Sequence, residues 1–269
     1  MIPASKGGIA MTDKVTTEDR GPVRILRINR AEVRNCVDGE TAEGLGDAIQ
    51  AFGSDDGARV LVVTGAGDLA FCAGADLKSG QSLFAQPYLD TAGPMGFARL
   101  DPGKPTIAAV NGFCFAGGFE LAAWCDFRIA AANAEFGCLS RRWGVPYTDG
   151  GTQRFARIVG LGNALYLLET GARIDARRAL EIGFVQEIVP TGGALDRAIE
   201  LAQHVAAYPN QPGIRADRTA ALATFGLSLD DGLLLEARVV RPTLWSDEML
   251  AGLERFAGGA RDESPRPPG

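Results

Sequence analysis

Residues 104–131 read KPTIAAVNGFCFAGGFELAAWCDFRIAA, and this stretch carries most of what the chain says about its fold. Thr106 to Val110 (TIAAV) and Phe127 to Ala131 (FRIAA) are short, mainly apolar runs, the pattern of strands buried on both faces. Between them, Gly117 to Trp124 has room for two helical turns. The run from Pro105 to Cys125 reaches membrane-spanning length, but it contains Asn111, Gly112, Gly117, Gly118 and Glu120. A carboxylate in lipid is costly, so the segment is expected to lie in the interior of a soluble protein.

Glu120 stands among apolar and glycine neighbours. Burial raises a carboxyl pKa by desolvation unless it is compensated, and such groups gather at catalytic sites. Two readings stand side by side: an acid/base group, or a structural Glu bonded to backbone amides. The pair Gly117 and Gly118 is open in the same way. Glycines at a helix start let a ligand approach free amides, as in an oxyanion hole, but they also serve a tight turn between strand and helix.

Working outward, Val60 to Thr64 (VLVVT) is another doubly buried strand, and Val23 to Asn29 (VRILRIN) alternates as a half-buried one. Thr41 to Phe52 has Leu45, Ala48, Ile49 and Phe52 at helical spacing. After VLVVT comes FCAGADLKSG, Phe71 to Gly80, whose small residues expose backbone amides and whose Lys78 can meet a phosphate as a point charge. Gly65, Gly67 and Ala70 have the spacing of a dinucleotide fingerprint. That fingerprint needs a helix to open at once, and residues 68–80 lack helical period, which disfavours nicotinamide binding. In SRRWGVPYTDGGTQR, Ser140 to Arg154, Asp149 reads as an N-cap for the following helix or as an active carboxylate.

From Gly150 onward QRFARIVG, NALYLLETG, the Asp175-capped DARRALEIG and LDRAIELAQHVAAY all have helical spacing, interrupted by a short strand at Val185 to Val189. The expectation is an α/β core over residues 15–200 and a helical segment over 201–260, with no internal sequence repeat. Residues 1–14 read as a disordered leader, with Met11 an alternative start, and the charged, Pro-rich residues 261–269 as a disordered tail.

The 269 residues, 46% hydrophobic and 22% charged, describe a globular chain of one large domain, with or without an appendage. With 27 Lys and Arg against 33 Asp and Glu, the net charge of −6 argues against nucleic-acid binding. A single histidine, His204, rules out chemistry needing two imidazoles and zinc sites of the His-rich kind. The five cysteines form no C-x-x-C pair and are an odd number, which fits reduced thiols in a cytoplasmic protein. Neither a P-loop nor a metal-ligand motif is present.

Taken in order, LRINRAEVRN, VLVVTGAG, FCAGADLK, KPTIAAVNGFCFAGGFELAAWCDFRIA, AEFG and DGGTQRFARIVG, with RIDARRALEIGFVQEIV behind them, resemble the crotonase superfamily of enoyl-CoA hydratases and isomerases. The resemblance implies a spiral of repeated strand-strand-helix turns forming two sheets. It also implies C-terminal helices that assemble a homotrimer or a dimer of trimers. The implied substrate is an acyl-CoA thioester, with coenzyme A entering only as part of it and no metal or other cofactor, no nucleic acid and no membrane as partner. The amides of Ala75 and Gly117 match the family's oxyanion hole, Gly118 follows in the same motif, and Ala73, Asp76, Leu77 and Lys78 match the loop that contacts the CoA nucleotide. Val33 and Arg34 match the opposite wall of that cleft.

Glu120 falls on the first of the two glutamates that hydratases of the family use on water. The second position is Ser140, which cannot exchange a proton at neutral pH, and Asp149 lies near where other members keep a catalytic aspartate. Ala31 replaces the usual Pro of NRAEVRN. The expectation is a lyase of fatty-acid metabolism, an enoyl-CoA hydratase or hydratase-like homologue with Glu120 as acid/base, Asp149 as second carboxylate and Ser140 in the substrate pocket. An isomerase, decarboxylase or thioester hydrolase of the same fold is the alternative, and an acyl-CoA-binding scaffold without catalysis stands in another class. Glu120 is expected to have a raised pKa, and Asp149 to stay ionised through the amides of the helix it precedes.

Overall fold

The protein is represented by a computed structural model that describes residues 13–84 and 92–260. The expected leader lies outside the described residues except for Asp13 and Lys14, and the expected tail, 261–269, lies outside them altogether. Among the described residues the chain begins β1 (Val15–Arg20), β2 (Val23–Ile28), α1 (Gly39–Ser54), β3 (Val60–Gly65), β4 (Ala70–Cys72) and α2 (Gly80–Phe84). It continues β5 (Thr106–Val110), β6 (Phe113–Phe115), α3 (Gly117–Trp124), β7 (Phe127–Ala131), β8 (Glu135–Gly137), α4 (Gly151–Val159) and α5 (Leu161–Thr170). Then follow β9 (Arg173–Asp175), α6 (Ala176–Glu181), β10 (Glu187–Val189), α7 (Ala194–Ala207), α8 (Gln211–Ala223), α9 (Leu229–Val240) and α10 (Asp247–Ala257).

The strands form two sheets, one of order β1-β2-β3-β5-β7-β10 and one of order β4-β6-β8-β9. Three successive pairs, β3 with β4, β5 with β6 and β7 with β8, each send the first strand to the large sheet and the second to the small one. This repeat is the expected spiral. From β2 onward the large sheet is parallel, and in the small sheet only β9 runs antiparallel to its neighbour. The switch between sheets after β5 is pinned by buried Asn111, whose amide nitrogen donates to the carbonyls of Gly65 and Ala70 at 3.1 and 3.3 Å.

The doubly buried reading of β3 and β5 has a direct cause. One face of the large sheet, Val60, Val62, Ile107, Ala109 and Ile129, packs on Ala198, Ala202 and Ala206 of α7. The other face, Leu61, Val63, Ala108 and Val110, joins Leu45, Ile49 and Phe52 of α1 in the main core. Asp175 caps α6 by accepting from the Arg178 amide, as expected, and Asp38 caps α1 by accepting from that of Thr41. The boundary drawn near residue 200 falls inside α7, which belongs to the packing of the sheet. No helix among the described residues is long and apolar enough to cross a membrane.

Candidate active site

The floor of the site is made where β6 turns into α3. Ala116, between them, has φ +51° and ψ −122°, a conformation that costs a side chain with a Cβ about 1–3 kcal/mol. It is held there because its amide donates to Gly137 (2.9 Å) while its carbonyl accepts from Phe119 (3.0 Å) and Glu120 (3.2 Å). Gly117 then opens the helix and lines a cavity of about 290 Å³. No acceptor among the described residues takes its amide.

The loop after β4 meets this turn at Gly74. With φ +99°, a Cβ there would lie 2.9 Å from Ala116 Cβ and 3.0 Å from the Gly117 nitrogen, so only glycine lets the two backbones touch. The next residue, Ala75, lines the same cavity, and no described acceptor takes its amide either. Two unengaged amides on one cavity at a helix N-terminus suit an oxygen that gains negative charge. Gly118 does something different. Its missing Cβ leaves room for the Cys72 carbonyl, so it is a packing glycine outside the cavity lining.

Glu120, one turn into α3, is 3% exposed and lines the cavity. Its Oε1 accepts from the amides of Asp149 (2.9 Å) and Gly151 (2.8 Å), the latter the first residue of α4. Gly151 permits that approach, since a Cβ would sit 2.7 Å from Glu120 Cγ. Both readings of Glu120 are therefore realised at once: it bonds to backbone amides, and it faces the cavity. Burial pushes its pKa from the ordinary 4.5 up to about 8, the charge of Asp149 adds to the rise, and the amides of Gly151, Asp149 and Thr148 only partly oppose it.

Asp149 corrects the expectation. It does not cap α4, whose N-cap is Gly150 with no side-chain bond, and the first amide of the helix, that of Gly151, goes to Glu120 instead. Asp149 is 1% exposed, its Oδ1 accepts from the Met95 amide (3.0 Å), and its Oδ2 accepts from the Thr148 hydroxyl (3.0 Å). Burial raises its pKa, against the lowering effects of the Met95 amide, the Thr148 hydroxyl, Arg99 and Arg154. Arg154 also clamps the surroundings, donating to the carbonyls of Asp149 (3.1 Å) and Ala98 (2.7 Å).

Of the residues singled out from the sequence, Arg34, Ala73, Ala75, Leu77, Gly117, Glu120, Ser140 and Asp149 line this one cavity. The Ser140 hydroxyl is buried there without a hydrogen-bond partner. Val33, Asp76 and Lys78 are not part of the lining. Asp76 accepts from the Lys78 amide (3.2 Å) and pairs with Arg30 (3.1 Å), which engages its carboxylate within the loop. The segment 66–69 opens no helix, consistent with the rejection of the nicotinamide reading.

Met95, Phe113, Phe115, Trp143 and Arg173 also line the cavity and were not found from the sequence. FCF held a usable signal, because period two places Phe113 and Phe115 on one face of a strand. Arg173 held none, since it arrives from a strand of three residues. No group of three or more His, Cys, Asp or Glu side chains comes together as a metal site among the described residues.

A family model described as enoyl-CoA hydratase/isomerase matches residues 18–261. A crotonyl-CoA hydratase of Syntrophomonas wolfei is 36% identical over 247 residues, 91% of this chain and 95% of the relative. A short-chain-enoyl-CoA hydratase of Clostridium acetobutylicum is 33% identical over 91% of this chain and 94% of its own. The crystal structure of enoyl-CoA hydratase EchA1 from Mycobacterium marinum superposes with a TM-score of 0.85 at 32% identity, covering 92% of this chain and 96% of that one.

Proposed function

Because the chain belongs to the enoyl-CoA hydratase/isomerase family, we propose that it is a hydratase-like enzyme acting on 2-enoyl-CoA thioesters, with the cavity described above as its active site. The observation that carries this reading is the meeting of a buried Glu120, its pKa pushed up to about 8, with two unengaged amides, those of Ala75 and Gly117. The thioester oxygen sits between the amides, which favour the enolate it becomes. One such donor is typically worth about 2.7–4 kcal/mol in the transition state. Water adds to the β-carbon and gives its proton to the Asp149 carboxylate, while Glu120 gives its own proton to the α-carbon. Exchange of a proton from Asp149 to Glu120 through solvent restores the starting state. Arg34, Ala73 and Leu77 border the cavity where the CoA moiety enters, and coenzyme A takes part only within the substrate.

A second reading, double-bond isomerisation, draws support from Ser140. Moving a proton between carbons needs one acid/base pair and no activated water, and Glu120 with Asp149 is one such pair. Asp149→Asn separates the roles. Turnover of crotonyl-CoA, followed by loss of the conjugated enoyl absorbance, is expected to fall by about 10²–10⁴ with butyryl-CoA affinity kept. Unchanged turnover would reduce Asp149 to an anchor for the Met95 loop. Wild-type protein that binds acyl-CoA and converts no enoyl-, dienoyl- or β-keto-acyl-CoA would make it a scaffold.

The assembly belongs to the same proposal. Leu229, Leu234, Trp245 and Phe256, on or beside α9 and α10, are all exposed in the single chain. An apolar surface of that kind is the mark of an interface, and a homotrimer or dimer of trimers is the form the family resemblance implies. Light scattering coupled to size exclusion is expected to give a multiple of three chains, and a monomer at micromolar concentration would refute it.

A further inference from the structure

Resting on that reading of the site, we infer that the cavity selects acyl groups bearing a carboxylate, with Arg173 as the residue that recognises it. The small sheet turns one face to the core through Cys114, Phe136 and Ile174, and the other toward the cavity through Phe113, Phe115 and Arg173. Arg173 stands opposite Gly137 in register, and Gly137 stands opposite Phe115. With no side chain at Gly137, the arginine reaches over the intervening strand. Its guanidinium carbon lies 4.8 Å from the Phe115 ring centre and 5.7 Å from that of Phe113, two rings that are themselves stacked at 5.2 Å.

These cation–π contacts hold the guanidinium over the two rings. Its Nε pairs with Glu135 at 3.0 Å, and no acceptor among the described residues takes the terminal Nη groups. The same cavity holds the Ser140 hydroxyl, buried and unpartnered. The Arg173 side chain keeps 43% of its surface exposed, so its Nη groups are open to a carboxylate, whereas an alkyl chain offers no acceptor to them or to the buried Ser140 hydroxyl. Sites built to hydrogen-bond a substrate group discriminate strongly against analogues that lack it. The preferred class is therefore a dicarboxylic acyl-CoA, its free carboxylate at the Arg173 end and its thioester at the Ala75 and Gly117 amides.

Calorimetric titration of the full chain with non-reacting thioesters tests this. Succinyl-, glutaryl- and adipyl-CoA are compared with butyryl-, valeryl- and hexanoyl-CoA. The best diacid is expected to bind roughly 10- to 100-fold more tightly than the best monoacid. Arg173→Met should abolish the difference through loss of diacid affinity, and Arg173→Lys should keep part of it. Equal binding of both classes by wild-type protein would overturn the inference and leave the acyl-CoA site intact. An equal loss for both classes in Arg173→Met would overturn it in favour of a contact with a CoA phosphate. Failure of every thioester to bind would overturn the proposed function, and this inference with it.

Discussion

Glu120→Gln is expected to lower the turnover of crotonyl-CoA by about 10²–10⁴, the usual contribution of a positioned general acid. The substitution keeps shape and keeps an oxygen to accept from the amides of Asp149 and Gly151, so a loss of activity reports the proton rather than a collapse of the site. The pH profile gives an independent reading. Burial raises the Glu120 pKa to about 8, so the acid is protonated at neutral pH, and kcat/KM of the wild-type protein should fall as pH rises through about 8. In the Gln variant that limb should vanish. Wild-type turnover in Glu120→Gln, or a profile flat through this range in the parent, would remove Glu120 from the chemistry.

Ser140→Glu should move activity the other way. Supplying a second carboxylate where the family pattern has one is expected to restore hydration of crotonyl-CoA to the Asp149→Asn variant by up to about 10²–10⁴, the same magnitude read in reverse. The replaced hydroxyl makes no hydrogen bond, so the substitution breaks none. In the parent, where Asp149 serves as the base, the gain should be small, and a gain of that size there would show that Asp149 does not take the proton of water. Steady-state kinetics of Ser140→Glu with and without Asp149→Asn distinguish the two cases through the non-additivity of the pair.

How much could be read before folding depended on how local the cause was. β5, β7 and α3 have the residue ranges that TIAAV, FRIAA and GGFELAAW predict, because burial on both faces and the helix start are written in consecutive residues. β4, β6, β8 and β9 escaped, as three residues give no period, whereas β10, equally short, lies within the expected VQEIV. β1, VTTEDR, escaped because only Val15 is fully buried on an otherwise solvent-facing edge strand. At the site, Glu120 was legible as a carboxyl in apolar company. The partner of the first α4 amide was not, since Glu120 reaches Gly151 from 31 residues away while Asp149 lies only two residues from it in sequence. Arg173 was invisible because its position over Phe115 depends on a glycine in the strand between them.

The buried carboxyl of Glu120 also sets a limit on how firmly the molecule holds together. A group whose pKa is 4.5 in the unfolded chain and about 8 in the folded one binds its proton more tightly when folded. Its contribution is therefore intact below pH 4.5 and is lost as pH rises to about 8, a loss on the order of 5 kcal/mol. Asp149, also raised by burial, acts in the same direction. Thermal unfolding temperature should accordingly decline from mildly acidic to alkaline pH. Glu120→Gln, which has no proton to surrender, should melt higher than its parent by a margin that widens with pH. The residue most needed for turnover is then one that the folded chain would be more robust without, and its retention marks a trade of durability for reactivity.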